Sequence, residues 1–155
     1  MNRGSVLAGV CRSMNPFGAK KPVGVLLFMH APLAEAFLDV LSHVLGETPP
    51  NCAALSAQIG DDIHVLSAEV REKIKKLDRG AGVLIFTDIC GATPFRVAQQ
   101  LVEPRRVALL CGASVPMLVR ALTYRELGLE KTIEKALSGA HEGTLFLDRY
   151  EEKET

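Results

Sequence analysis

The chain has 155 residues, with 18 Lys and Arg balancing 18 Asp and Glu, 48% hydrophobic residues and 23% charged ones. Domains commonly run about 100–200 residues, so this length suits one domain whose core needs no disulfide or metal staple. Zero net charge removes the electrostatic case for nucleic-acid binding, and two Tyr, six Phe and no Trp leave little for base stacking.

Residues 1–21 read as a disordered extension, either added sequence or an upstream start with Met14 as an internal candidate. Val6 to Cys11 after Arg3 imitates a signal peptide, but the run is short, broken by Gly9 and followed by no clean cleavage site. No Leu stands three residues before Cys11, which excludes a lipoprotein signal. From Pro22 the chain alternates apolar runs with helical periodicity. Val23 to Met29 is a continuous apolar run, the pattern of a strand buried on both faces. Leu33, Phe37, Leu41 and Leu45 then recur every four residues in an amphipathic helix that Gly46 ends. Cys52 to Ala57 reads as a second strand. Asp61 and Asp62 supply a helix N-cap, Ile63, Leu66, Val70, Ile74 and Leu77 an apolar stripe, and Gly80 a stop.

Gly82 to Thr87 is a third buried strand, and Thr93-Pro94 read as N-cap and first residue of a helix carrying Phe95, Ala98, Leu101 and Val102. Val107 to Cys111 is a fourth strand. Ser114 caps a further helix through Met117, Leu118, Ala121 and Leu122, and Leu129, Ile133, Ala136 and Leu137 mark the last one. A short run from Thr144 to Leu147 follows, and residues 149–155 are a charged, frayed tail. This alternation predicts one α/β domain over 22–148, an open doubly wound, mostly parallel sheet with helices on both faces. No apolar run approaches the roughly 18 residues of a membrane span. Cys11, Cys52, Cys90 and Cys111 form no CxxC pair, which suggests reduced, buried thiols in a cytoplasmic protein.

In such a sheet, chemistry sits beyond the carboxyl ends of the strands where strand order reverses. His30 ends the first strand and Asp88 the third, and the two strands are expected as neighbours. A carboxylate that accepts one ring N–H fixes the imidazole tautomer and leaves the other nitrogen free as nucleophile, base or ligand. Gly91, Ala92 and Thr93, just before a helix, offer backbone N–H groups and a hydroxyl to an anion. Each has an ordinary reading alone: His30 as a surface residue, Asp88 as a loop cap, Thr93-Pro94 as a helix start. Together they describe phosphoryl transfer through a phosphohistidine. Arg96, Arg120 and Ser114 are candidate docking residues at the rim. Cys90 reads as a small packing residue, and His43, His64 and His141 as surface residues.

Three segments carry a resemblance to a known family: VGVLLFMHAPLAEAF, GVLIFTDICGATPFRVA and LLCGASVPMLVRAL. In order and at compatible spacing, they resemble the mannose-family enzyme IIA domain of the bacterial sugar phosphotransferase system. The resemblance implies phosphorylation of His30, ring orientation by Asp88 and a phosphate contact from Thr93. It further implies HPr as donor, an enzyme IIB component as acceptor, a homodimer, and a transfer that needs no metal or cofactor. A final antiparallel edge strand, here Thr144 to Asp148, would take part in pairing. Ala31-Pro32 departs from the glycine that often follows the histidine, although proline fits a first helical turn. No enzyme IIB segment follows residue 148, so a stand-alone carrier serving sugar uptake is expected, or alternatively a regulatory enzyme IIA without its own permease. A receiver-like domain phosphorylated on Asp88 is a reading of another class, but it needs an acidic pair where Met29-His30 stand. A Cys90 hydrolase, or a metal module of His30, Asp88 and Cys90, would leave Gly91 to Pro94 idle.

Overall fold

A computed structural model describes residues 21–148; the remainder of both expected tails lies outside the described residues. The elements are β1 (Gly24–His30), α1 (Leu33–Leu45), β2 (Cys52–Ala57), α2 (Ile63–Leu77), β3 (Val83–Thr87), α3 (Thr93–Gln99), β4 (Val107–Cys111), α4 (Val115–Tyr124), a 3-10 turn (Arg125–Leu127) and α5 (Leu129–Glu142). The four strands are all parallel, in the order β2-β1-β3-β4. The chain winds outward in both directions from the β1–β3 pair, which is therefore where strand order reverses. Register sets Leu27 beside Phe86, so the last residues of β1 and β3 emerge together.

Two apolar layers hold helices against the sheet. Val25, Leu27 and Met29 of β1 join Leu84 and Phe86 of β3 beneath Leu41 of α1, Leu118 of α4 and Ala136 of α5. The alternate residues Leu26, Phe28 and Ile85 meet Leu66, Val70 and Ile74 of α2 and Val97 and Ala98 of α3. Strand residues alternate between faces, so a central strand covered on both must be apolar throughout. β1 is fully buried up to Met29, and only His30 is exposed. Gly24 is required at the start of β1, because a Cβ there would lie 2.6 Å from the Leu77 carbonyl oxygen at the end of α2. The Asp62 carboxylate caps α2 by accepting the N–H groups of His64 and Val65 at 2.7 and 3.3 Å. Gly46 ends α1 in the left-handed conformation, φ 82°.

Several expectations change. Ala92, extended at ψ 175°, holds the N-cap position of α3; Thr93 is the first helical residue and its side chain makes no cap bond. α3 also ends early, at Gln99. The Glu103 N–H pairs with the Val107 carbonyl across the turn before β4, which draws Leu101 and Val102 out of the helix. Asp78, rather than Gly80, is the C-cap of α2. Ile63 opens the α2 stripe at the outer end of the helix and is exposed instead of buried. The expected antiparallel edge strand is not formed: residues 144–148 carry no strand, and Leu145, Phe146 and Leu147 are exposed. A strand needs a neighbour for its backbone groups, and among the described residues this segment pairs with none.

Candidate functional site

The β1–β3 reversal places an exposed histidine against a largely covered carboxylate. His30 Nδ1 lies 2.7 Å from Asp88 Oδ2, and the His30 backbone N–H donates to the same oxygen at 3.1 Å. The other oxygen, Oδ1, accepts the Ile89 N–H at 3.0 Å. Side-chain exposure is 47% for His30 and 14% for Asp88. Burial alone would raise the Asp88 carboxyl. Hydrogen bonds from the His30 ring, the His30 N–H and the Ile89 N–H outweigh it and hold the carboxyl below its ordinary value. An ionised carboxylate only accepts, so the proton between the side chains belongs to Nδ1. The neutral ring then carries its lone pair on Nε2, the nitrogen not committed to Asp88. A base, a ligand or a nucleophile is available there, its direction fixed at three points on one carboxylate.

The loop from Asp88 to α3 borders this pair. Gly91 has φ +84°, a conformation that side chains rarely adopt, and it turns the chain so that Ala92 and Thr93 start α3. Gly91 and Thr93 are exposed, and Pro94 behind them is buried. Arg96 is exposed on α3. Ser114, just past β4, is engaged as a cap, its Oγ accepting the Met117 N–H at 3.4 Å. Arg120 is a tie between helices rather than a free rim cation: its guanidinium donates to Glu142 at 2.6 Å, and its stem packs on Gly139 of α5. Cys90 is exposed, which overturns its reading as a packing residue; Cys52 and Cys111 are partly buried. Among the described residues no group of three metal-ligating side chains occurs, and no helix is long and apolar enough to cross a membrane.

An apolar rim escaped sequence reasoning. Ile59, in the loop after β2, is fully exposed; Ile63 at the start of α2 and Ile89 beside Asp88 are 55% and 59% exposed. All three stand past the carboxyl ends of strands, on the side where His30 emerges. For Ile59 and Ile89 the available signal was an isoleucine just after a strand end, outside the period of the next helix; Ile63 fits that period and gave no such signal.

The model of the phosphotransferase-system fructose IIA component family matches residues 24–137. The chain is 28% identical over 105 residues to the mannose-specific EIIAB component of Escherichia coli, covering 67% of this chain and 32% of that protein. It thus spans about a third of that relative's length. It is 26% identical over 105 residues to the fructose-specific EIIA component of Bacillus subtilis, covering 67% and 71% of the two chains. Among solved structures, the mannose/sorbose-specific IIA subunit from Enterococcus faecalis superposes with a TM-score of 0.72 at 18% identity, covering 84% of this chain and 98% of that one. At that identity the likeness speaks for the fold.

The hydrogen bonds to Asp88 imply a pH dependence. A carboxyl held below its unfolded value stabilises the fold fully above about pH 4, and the contribution is lost as pH falls through the folded value. Carbon-13 NMR should find the Asp88 carboxyl titrating below about 3.9. The midpoint should rise in His30→Ala, which removes the ring donor but keeps the surrounding burial. An unchanged midpoint in that variant would contradict the geometry.

Proposed function

This chain belongs to the fructose IIA component family of the phosphotransferase system, and from that membership we propose that it carries a phosphoryl group on His30 Nε2 between two proteins in sugar uptake. The observation that carries the reading is the 2.7 Å contact that commits Nδ1 to Asp88 and leaves Nε2 as the nucleophile. The donor is HPr in its phosphohistidine form. Nε2 attacks phosphorus in line, the new N–P bond forms as the donor's N–P bond breaks, and the electron pair returns to the donor nitrogen. The His30 ring becomes cationic in the process, and the ionised Asp88 carboxylate stabilises that charge through Nδ1–H. Backbone N–H groups of Gly91 and Ala92 and the Thr93 hydroxyl contact the phosphoryl oxygens. An enzyme IIB component then takes the group by the reverse geometry. Receiver chemistry on Asp88 does not fit, since both carboxylate oxygens are occupied and the family is a different one.

Ile59, Ile63 and Ile89 make the apolar ground on which each partner docks in turn, with Arg96 as an adjacent cation. A protein with no net charge suits brief docking through local contacts better than through a long-range field. The exposed Leu145-Phe146-Leu147 run is the pairing segment of a homodimer. It adds as an antiparallel strand to β4, one of the two edge strands of the sheet, in a second copy.

Incubation with enzyme I, HPr and phosphoenolpyruvate should label the protein in an acid-labile form. His30→Ala should take no label, and its full labelling would sink the assignment. Asp88→Asn should keep its circular dichroism and lose roughly 10–100-fold in transfer rate, the usual cost of removing a group that orients a histidine. For the dimer, a chain ended at Gly143 should sediment as a monomer while the full chain sediments as a dimer. Identical sedimentation of the two would refute the pairing role of the last segment.

A further inference from the structure

Thr87, the last residue of β3, is completely buried, and among the described residues its hydroxyl is the one buried side-chain polar atom with no hydrogen-bond partner. Such a hydroxyl destabilises a fold, and valine would fill nearly the same space without that cost. Val83 and Ile85 of β3 face α2 and α3, so Thr87, two places on, faces the same layer. Its backbone is fixed: Thr87 pairs with Cys111, and its carbonyl accepts the Ala113 N–H at 3.1 Å. The chain leaves β3 at Asp88 and starts α3 at Thr93, so residues 88–92 cross the end of the strand on the face where Thr87 lies.

That crossing segment has the complementary lack. Asp88 Oδ1 holds the Ile89 N–H at 3.0 Å, and the Ala92 carbonyl accepts the Arg96 N–H at 3.0 Å. Between them, among the described residues, no backbone N–H donates to the carbonyls of Ile89, Cys90 or Gly91. Gly91 has φ +84°, and nothing lies within 4 Å of where its Cβ would stand, so the peptides on either side of it are free to turn. A trans peptide points its N–H and its C=O in opposite directions. When Gly91 and Ala92 turn their N–H groups outward to an anion, the carbonyls of Cys90 and Gly91 turn inward, toward β3. We propose that Thr87 is a positioning residue for phosphoryl acceptance: its hydroxyl donates to a carbonyl of the Cys90–Gly91 turn and so holds the N–H groups of the loop toward the phosphoryl group on His30. The proposal rests on the function proposed above. Thr87 acts through the loop and not on His30. Its hydroxyl has no partner before transfer, so the new bond favours acceptance and adds nothing to the resting fold.

Thr87→Val keeps the shape of the side chain and removes the hydroxyl; Thr87→Ser keeps the hydroxyl. In the full chain, Thr87→Val should melt at the parent's temperature or above it. It should accept the phosphoryl group roughly tenfold more slowly at saturating phosphorylated HPr, with KM for HPr unchanged, about the rate equivalent of one hydrogen bond. Thr87→Ser should restore the rate. Nitrogen-15 NMR adds a readout that packing alone would not move. Phosphorylation should shift the Gly91 and Ala92 amide protons downfield in the parent and in Thr87→Ser, and less in Thr87→Val, while His30 keeps its proton on Nδ1 in all three. The parent's rate or the parent's amide shifts in Thr87→Val overturn the proposal, as does a lowered melting temperature or a lost rate that Thr87→Ser does not restore. If the parent takes no phosphoryl group from HPr, the function proposed above fails. His30 is then phosphorylated with phosphoramidate, and the amide protons decide the role of Thr87: a smaller shift in Thr87→Val supports it and an equal shift overturns it.

Discussion

A neutral imidazole in water exchanges its proton between two nitrogens, and the 2.7 Å contact from His30 Nδ1 to Asp88 ends that exchange. Most of what the site can do follows from this bond. It assigns the proton, directs the lone pair to the nitrogen away from the carboxylate, and places a negative charge where a positive one develops when the ring is modified. The carboxylate is secured in turn. Its oxygens also accept the N–H groups of His30 and Ile89, so Asp88 stays ionised although it is largely covered. Covering strengthens the interaction with the ring, and the backbone donors offset its cost.

The sheet is what allows two residues 58 positions apart to meet in this way. β1 and β3 lie side by side only because the chain leaves β1 toward one edge and returns to build the other. Their apolar residues, packed on both faces, fix the register, and the register fixes where the strands end. His30 is the first exposed residue after six buried ones, so a shift of one place along β1 would bury it. The core therefore acts on the chemistry by setting the height and side at which one imidazole emerges.

The parts of this arrangement written in continuous apolar runs were legible from the sequence. β2 and β4 begin and end where their composition changes, and the pairing of His30 with Asp88 follows from the topology such runs imply. The misread parts are those where a tertiary neighbour overrides a local preference. Thr93-Pro94 carries a cap signature, yet the turn at Gly91 delivers the chain with Ala92 in the cap position. Ile63 fits the apolar period of α2, but the helix starts beyond the core and the side chain is left outside. Arg120 carries a charge that spacing could not assign; the packing of α4 on α5 gives it to Glu142.

A carrier of this kind separates two demands. In the function proposed above, the bond from His30 to Asp88 serves the chemistry, while the exposed Ile59, Ile63 and Ile89 past the strand ends serve recognition. The first of these demands decides which nitrogen reacts, and that is open to direct measurement. Nitrogen-15 and phosphorus-31 NMR of the phosphorylated, ring-labelled protein should place the phosphoryl group on Nε2 of His30, with Nδ1 still protonated against Asp88. A phosphoryl group on Nδ1, or on any residue other than His30, would contradict the account.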